Sequence, residues 1–248
     1  MDLDLKNKTV FITGASSGIG AAAAEIFSTE GADVVVSYGR NTDGAEKTAG
    51  KVRANGRQAW LCPMDVSDPA SVAGAVQALS PEIDGLDALV LCAGLSLHTA
   101  FAEITPEEWQ RVLAVNLNGA FYVVQILTPL LRDGASVVMV SSVSAQTGVS
   151  HQAHYAAAKA GLVNLSKSAA RTLAPRIRVN CVTPGLTMTR MGQETINALD
   201  PDYAKNKMLL QRYATPQEIA QVIVFLASPV NSFMTGATVD VNGGRDLR

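Results

Sequence analysis

Cysteine is scarce in this chain of 248 residues, which contains three: Cys62, Cys92 and Cys181. Three thiols cannot all pair within one chain, and neither a C-x-x-C spacing nor a nearby His-x-x-x-His partner accompanies them. Each lies in an apolar, strand-like run, which predicts buried, unpaired thiols in a reducing environment. We therefore expect neither a disulfide framework nor a metal site.

Strong charge of either sign is also missing. Lys and Arg number 20 and Asp and Glu number 22, a net charge of −2, so the chain has no basic stripe for the phosphates of a nucleic acid. The most apolar long stretch, 120–131, is shorter than the roughly 20 residues of a membrane span and contains Gln125 and Pro129. The opening residues, MDLDLKNKTV, lack the features of a signal peptide. We expect a cytoplasmic protein that binds neither nucleic acid nor membrane.

Short β-branched runs alternate with Ala-rich stretches of helical length along the whole chain. The apolar runs are mostly continuous, which is typical of parallel strands covered on both faces. This pattern predicts an α/β fold: one Rossmann domain, 1–248, with a doubly wound, seven-stranded parallel sheet and helices on both faces. The predicted strands are Thr9–Thr13, Asp33–Tyr38, Gln58–Cys62, Ala88–Cys92, Ser136–Val140, Ile177–Val182 and Ala237–Val241.

Helices are predicted in the gaps between these strands, several of them with an N-cap residue before a proline. They cover Gly18–Glu30, Gly44–Asn55, Pro69–Leu79, Pro106–Leu131 in one or two pieces, Ala153–Leu173 and Pro216–Ala227. The remaining segment, 186–213, is long for a connection within a compact domain and mixes Met, Leu and Tyr with polar residues. We expect it to form a lid over a substrate site.

A glycine-rich turn, TGASSGIG at 13–20, joins the first predicted strand to the first helix. Such a turn lets the backbone approach a pyrophosphate, whose charge then lies at the free N–H groups of the helix N-terminus. Its spacing is G-x-x-x-G-x-G rather than G-x-G-x-x-G, and glycines in a β–α turn can also be purely structural. The dinucleotide contacts predicted here come from Gly14, Ser16, Ser17, Gly18, Ile19 and Gly20.

Tyr155 and Lys159 are four residues apart on a predicted helix, so their side chains lie on one face. A free phenol has a pKa of about 10, and an adjacent ammonium favours the phenolate. Lowering that pKa by roughly three units needs about 4 kcal/mol, within reach of a close ammonium together with the positive charge of a bound nicotinamide. Alone, such a pair is common on helices and is more often a solvated lysine beside a half-buried tyrosine.

With Ser142 upstream of this pair, the sequence resembles the short-chain dehydrogenase/reductase family, and in particular its 3-oxoacyl-[acyl-carrier-protein] reductases. The resemblance covers essentially the whole chain, including the glycine turn, VNLNG around Asn116 and the closing GATVDVNGG. It implies that Tyr155 exchanges a proton with the substrate oxygen, that Ser142 holds the same oxygen and that Lys159 binds the nicotinamide ribose and tunes Tyr155. It also implies that Asn116 positions a water in a proton relay.

The same resemblance implies further cofactor contacts beyond the glycine turn. Besides Tyr155 and Lys159, they come from Arg40, Asp65, Val66, Cys92, Ala93, Gly94, Pro184, Gly185, Thr187 and Thr189. One stretch departs from the family pattern: Leu91-Cys92 stands where Asn-Asn is usual before Ala-Gly. We expect a locally repacked sheet edge near the cofactor rather than lost activity.

The end of the second strand favours NADP(H) over NAD(H). NAD-dependent enzymes usually place Asp or Glu there for the ribose 2′-hydroxyl, whereas this stretch reads SYGRN and offers Arg40 to a 2′-phosphate. Ser17 weakens this inference, because many NADP-dependent relatives have a basic residue at that position of the turn.

The substrate is less clearly indicated. Arg132, Arg176 and Arg178 are candidates for docking an acidic acyl carrier, although Asp133 lies among them. The predicted reaction is NADPH-dependent reduction of a ketone, of 3-oxoacyl type or similar. The alternative is NAD-dependent oxidation of a free secondary alcohol, such as a sugar, steroid or cyclic alcohol; a cofactor-binding regulator without chemistry is a third hypothesis. For His98, His151 and His154 we predict loop or substrate-rim positions, and for the chain a homodimer or homotetramer.

Overall fold

A seven-stranded parallel sheet forms the centre of the computed structural model, which describes residues 2–247. Its strands lie in the order β3-β2-β1-β4-β5-β6-β7. This order reverses between β1 and β4, the switch point beside which doubly wound sheets bind their ligands. The predicted fold class is confirmed. The strands are β1 Thr9–Thr13, β2 Asp33–Tyr38, β3 Ala59–Pro63, β4 Leu86–Leu91, β5 Leu131–Val140, β6 Arg178–Pro184 and β7 Thr238–Val241.

Ten α-helices occur within residues 2–247, some joined by short 3₁₀ or π segments. They are α1 Gly18–Thr29, α2 Thr42–Ala54, α3 Pro69–Leu79, α4 Pro106–Leu113, α5 Gly119–Leu127, α6 Ser144–Thr147, α7 Ala153–Leu173, α8 Arg190–Asn197, α9 Tyr203–Lys207 and α10 Pro216–Ala227.

The helices bury both faces of the sheet, as continuously apolar strands require. Along β1, Val10 and Ile12 belong to one core cluster with residues of α1, α2 and α10, whereas Phe11 belongs to a second with residues of α3, α5 and α7. This alternation follows from the period of two in a strand, which directs successive side chains to opposite faces.

The predicted helix over Pro106–Leu131 is continuous only to residue 130 and changes its winding on the way. A π-helical segment, Ala114–Asn118, separates α4 from α5, and a 3₁₀ turn follows at Thr128–Leu130. The run 106–130 is long and apolar enough to cross a membrane by composition, with a mean hydropathy of 1.4, but core helices of soluble proteins pass the same test. Here α5 packs on α3 and supplies buried side chains to the core.

Several element boundaries differ from the sequence prediction. Helix α2 begins earlier, because the side chain of Asn41 accepts a hydrogen bond from the Gly44 N–H and caps the first turn. Strand β5 begins at Leu131 rather than Ser136, because Leu131 pairs with Leu86 across a register irregularity.

The three arginines proposed for carrier docking lie at the amino-terminal ends of β5 and β6, opposite the edge that carries the glycine-rich turn. There they bond to neighbouring elements of the fold. Arg132 forms an ion pair with Asp87 at 2.7 Å, and Arg176 donates a hydrogen bond to the Leu131 carbonyl. Arg178 donates to the carbonyls of Leu226 and Ser228. Their position at the edge opposite the glycine-rich turn does not support them as candidates for carrier docking, which stays a prediction.

Core packing of α10 gives a direct test of this architecture. Ile223 is fully buried, whereas Gln221 is exposed on the same helix. We expect Ile223→Ala to lower the free energy of unfolding by about 2–5 kcal/mol through lost burial and a residual cavity, and the matched Gln221→Ala to change it by less than about 0.5 kcal/mol. Urea unfolding followed by circular dichroism measures both; equal effects would contradict the described packing.

Candidate active site

A cleft opens at the carboxyl ends of β5 and β6 and extends towards the switch point. Its volume is about 210 Å³, and it is lined by side chains that follow β4, β5 and β6, by α7 and by the segment 186–213. Ligands of doubly wound sheets bind at this edge. The cleft brings together Ser142, Tyr155 and Lys159, three of the four predicted catalytic residues.

The glycine turn approaches β4 so closely that a side chain at Gly14 could not be accommodated. Gly14 has φ +66°, and a Cβ atom there would lie 2.9 Å from the Cα of Ala93. Ser17, the N-cap of α1, makes no side-chain cap hydrogen bond, so the first N–H groups of α1 are available to a ligand. The turn therefore fits a dinucleotide pyrophosphate in its shape and in its free donors.

Three predicted cofactor residues extend this site beyond the turn. Thr189 lies beside it: a Cβ at Gly18 would be 3.2 Å from the threonine methyl group. Thr187 and Gly185 follow β6 and line the cleft, and the Thr187 hydroxyl donates to the Gly185 carbonyl at 3.0 Å. These residues connect the turn to the cleft that contains Tyr155.

Lys159 is held in one position by the fold itself. Its side chain is 4% exposed, and Nζ donates to the carbonyl of Val140 at 2.9 Å and lies 5.6 Å from the ring centroid of Tyr155. Ser141 donates from its hydroxyl to the backbone carbonyl of Lys159 at 2.7 Å, so α7 is bonded twice to the end of β5. Tyr155, one turn earlier on α7, is thereby held beside Ser142.

The pKa values in the protein alone run against the sequence expectation. Burial raises the pKa of Tyr155 to about 12, and its hydrogen bond with Ser142 offsets only part of this rise. Burial also lowers the pKa of Lys159 to about 8. The expected lowering of the phenol pKa by Lys159 is absent here, because desolvation outweighs attraction and the ammonium is directed at the Val140 carbonyl.

Asn116 lies in the π-helical segment and is 1% exposed. Its Nδ2 donates to the carbonyls of Leu95 and Val112 at 2.7 and 2.9 Å, and its Oδ1 accepts from the Leu95 N–H at 3.2 Å. Both amide hydrogens are therefore used within the protein. The side chain clamps the loop after β4 against the helix beside the cleft.

The ends of β2 and β3 form a second, exposed part of the predicted cofactor site. Arg40 and Asp65 are both exposed, and no ion pair in the described range 2–247 engages Arg40. Hydrogen bonds from Ser67, with a smaller contribution from the charge of Arg40, lower the pKa of Asp65. Val66 is buried beneath this edge.

Comparison with known proteins agrees with this geometry. A family model described as enoyl-(acyl carrier protein) reductase matches residues 14–246. An uncharacterized short-chain type dehydrogenase/reductase from Sinorhizobium fredii is 38% identical, with 97% of this chain and 98% of the relative aligned. A 3-oxoacyl-[acyl-carrier-protein] reductase from Staphylococcus epidermidis is 36% identical, with 96% and 98% aligned.

This chain belongs to the short-chain dehydrogenase/reductase family. Among solved structures, L-sorbose reductase from Gluconobacter frateurii, complexed with NADPH and L-sorbose, superposes with a TM-score of 0.92 at 28% identity and covers 100% of both chains. The protein is accordingly an NAD(P)-dependent dehydrogenase/reductase.

In this dehydrogenase/reductase, the sheet is intact at Leu91-Cys92, where the family usually has Asn-Asn. Thr13 still pairs with Leu91, and its hydroxyl accepts a hydrogen bond from the Ala93 N–H at 3.1 Å. Cys92 lines the cleft, where burial raises its pKa to about 12.

One of the three histidines lies elsewhere than predicted. His154 lies in the core rather than at the substrate rim: it is fully buried, with Nε2 2.9 Å from Glu108 on α4. The hydroxyl of Thr99 donates to the same carboxylate. His154 was misplaced because the sequence does not show which face of α7 meets α4.

His98 does lie at the rim, as predicted. Its Nε2 is 3.1 Å from the Thr195 hydroxyl of α8 and 2.8 Å from Nε2 of Gln152, which also donates to Ser96 at 2.7 Å. His151 is exposed in a loop, as predicted. Tyr203, from the predicted lid segment, lines the cleft, and Gln152 and Arg245 line it without having been predicted, since only tertiary structure brings them there. Within residues 2–247, no three His, Cys, Asp or Glu side chains gather as a metal site requires.

The three thiols of this dehydrogenase/reductase should be unreactive in the native state. Burial raises the pKa of Cys62 and Cys181 to about 11 and that of Cys92 to about 12. At pH 8 we expect a thiol-specific disulfide reagent to label the native protein at least about 100-fold more slowly than the urea-unfolded chain, in which three thiols react. Fast labelling of one native thiol, assigned with Cys92→Ser, would contradict this.

Proposed function

We propose that this protein reduces a ketone to a secondary alcohol with NADPH. The observation that carries the proposal is the position of Tyr155, Ser142 and Lys159 in one cleft. When bound, the reduced dinucleotide supplies a hydride to the carbonyl carbon. The hydroxyl of Tyr155 donates its proton to the carbonyl oxygen, and Ser142 donates a hydrogen bond to the same oxygen. One hydride and one proton convert C=O to CH–OH and leave the oxidised dinucleotide.

Lys159 prepares this proton transfer by holding the nicotinamide ribose and by adding positive charge beside Tyr155. Because burial, only partly offset by the hydrogen bond with Ser142, raises the phenol pKa to about 12, the tyrosine is a proton donor in the protein as it stands. The lowering of its pKa that the reverse reaction needs must then come from the charge of the oxidised nicotinamide together with Lys159. Asn116 serves this arrangement as a positioning residue, through the clamp on Leu95.

The dinucleotide lies, in this proposal, along the edge from β3 to β6. Its pyrophosphate lies at the N-terminus of α1, where Gly14 packs against Ala93 and leaves room for close approach. The residues proposed to contact it are Gly14, Ser16, Ser17, Gly18, Ile19, Gly20, Arg40, Asp65, Val66, Cys92, Ala93, Gly94, Tyr155, Lys159, Pro184, Gly185, Thr187 and Thr189. The segment 186–213 serves as the lid: its ends are joined by Met188 N–H to Ala214 C=O, 2.8 Å, and Ala214 N–H to Leu186 C=O, 3.0 Å.

The substrate is a 3-oxoacyl-type or similar ketone. Val143, Val149 and Leu186 make part of the cleft wall apolar, which suits an acyl chain. A free sugar or other secondary alcohol oxidised with NAD is the second candidate, favoured by the polar side chains of Ser96, Gln152 and Thr195 around the same cleft.

Self-association and a cytoplasmic location remain predictions. Phe121 on α5 is 45% exposed, and Phe225 and Phe233 also present apolar surface. A dimer or tetramer that covered these side chains would remove them from water.

Removing the proposed proton donor tests the reaction. We expect Tyr155→Phe to lower kcat by about 10²–10⁴-fold on a ketone that the wild type reduces, because the proton no longer has a positioned source. The measurement is the loss of reduced-nicotinamide absorbance, with the dinucleotide Kd measured in parallel by fluorescence. Unchanged turnover with Tyr155→Phe would refute the proposed mechanism.

Removing the proposed 2′-phosphate contact tests the cofactor preference. We expect Arg40→Gln to raise the KM for NADPH by about tenfold or more, the cost of a charged hydrogen bond, and to leave the KM for NADH nearly unchanged. Exposed Arg53, at the end of α2, provides the matched control, Arg53→Gln. Equal changes in the KM for NADPH and the KM for NADH would show that Arg40 does not contact the 2′-phosphate.

A further inference from the structure

Arg245 lies in the wall of the active-site cleft, together with Tyr155 and Ser142. It follows β7, the last strand of the sheet, and its side chain is 20% exposed. An arginine that lines a reaction cleft and is shielded from most of the solvent can make direct contacts with a substrate.

A constrained turn brings Arg245 to this position. Gly243 and Gly244 have φ of +67° and +74°, and a Cβ at Gly244 would lie 2.7 Å from the side chain of Leu209. Asn242 closes the turn: its Oδ1 accepts from the Gly244 N–H at 2.9 Å, and its Nδ2 donates to the Asp246 carbonyl at 2.8 Å. The backbone that carries Arg245 is therefore held by hydrogen bonds and by packing.

The guanidinium group of Arg245 has hydrogen-bond donors that the described residues do not use. Its Nε forms an ion pair with Oδ2 of Asp246 at 3.4 Å, without hydrogen-bond geometry, and among residues 2–247 that carboxylate oxygen has no hydrogen-bond partner. Within residues 2–247, no hydrogen bond or ion pair engages the two Nη nitrogens of Arg245. These two nitrogens form the planar fork that binds carboxylate or phosphate through two parallel hydrogen bonds.

The cleft itself contains no anion to occupy this fork. Its described lining includes neither Asp nor Glu, and its other cation, Lys159, is bonded to the Val140 carbonyl. The dinucleotide phosphates are an unsuitable partner, because they belong at the glycine turn after β1. That strand is four positions from β7, roughly 19 Å at about 4.8 Å per strand. The partner of Arg245 is therefore expected on the substrate.

We propose that Arg245 binds an anionic group, a carboxylate or a phosphate, on the ketone substrate, and so selects charged ketones over neutral ones. This inference rests on the proposed function and narrows its substrate class. The carbonyl of the substrate lies at Tyr155 and Ser142, and its anionic group pairs with the two Nη nitrogens. Arg245 is thus a specificity-determining residue that takes no part in the proton transfer.

Matched substrate pairs test this selection with the NADPH-loaded enzyme. The pairs are 3-oxobutanoate and its methyl ester, 4-oxopentanoate and its methyl ester, and dihydroxyacetone phosphate and dihydroxyacetone. In at least one pair we expect the charged member to be preferred, and Arg245→Met to raise its KM by about 10- to 100-fold while changing kcat/KM of the neutral member by less than about threefold. The carboxylate and phosphate pairs distinguish the two kinds of anion.

Two further variants sharpen this comparison. Arg245→Lys keeps the charge but not the fork, and should recover only part of the preference. Arg171→Met removes one exposed positive charge from α7, outside the cleft, and should leave every KM unchanged. Equal use of charged and neutral members by the wild type, or an equal effect of Arg245→Met on both, would overturn the proposal.

A binding measurement separates this inference from the proposed reaction. Calorimetric titration of Tyr155→Phe with the three anionic ketones should show weaker binding, by about 10- to 100-fold, when Arg245→Met is added. Arg245-dependent binding without turnover of any ketone by the wild type would support the anion site and refute the proposed function. Turnover without Arg245-dependent binding would support the function and refute the anion site.

Discussion

The hydrogen bond from Lys159 to the carbonyl of Val140 is the interaction on which the site depends. It places an ammonium group inside the protein, without a carboxylate partner among residues 2–247, and bonds α7 to the carboxyl end of β5. The reverse bond from Ser141 to the Lys159 carbonyl closes the connection. Once α7 is fixed in this way, Tyr155 can only lie beside Ser142, since both positions are set by the two joined elements.

The same burial that orders these side chains also opposes their ionisation. Removing the phenol and the ammonium from water favours the neutral form of each. In the protein alone, the pKa of Tyr155 is therefore raised and the pKa of Lys159 is lowered. The sheet and α7 provide the positions of these side chains, and in the proposed reaction the charge of the dinucleotide is added to their electrostatic environment. The positions of Tyr155 and Lys159 are thus fixed by the fold, whereas their pKa values would change when the cofactor binds.

Much of the fold and of the site could be predicted from sequence, because the signals are local. Continuous apolar strands, a glycine turn and a Tyr–Lys spacing on one helix each follow from a few neighbouring residues. What could not be predicted depends on contacts distant in sequence: the π-helical segment around Asn116, the burial of His154 against Glu108, and the edge of the sheet that Arg132, Arg176 and Arg178 occupy. Arg245 joins this group, because its place in the cleft depends on a turn after the last strand.

That turn also has a mechanical consequence. The N–H of Leu210, in the segment 186–213, donates to the Gly243 carbonyl at 3.0 Å, and Leu209 packs on Gly244. The segment 186–213 and the backbone that carries Arg245 are therefore bonded to each other and packed together. A ligand held by Arg245, as proposed, would thus be linked through this turn to the segment 186–213, so its binding would also favour the conformation of that segment described above.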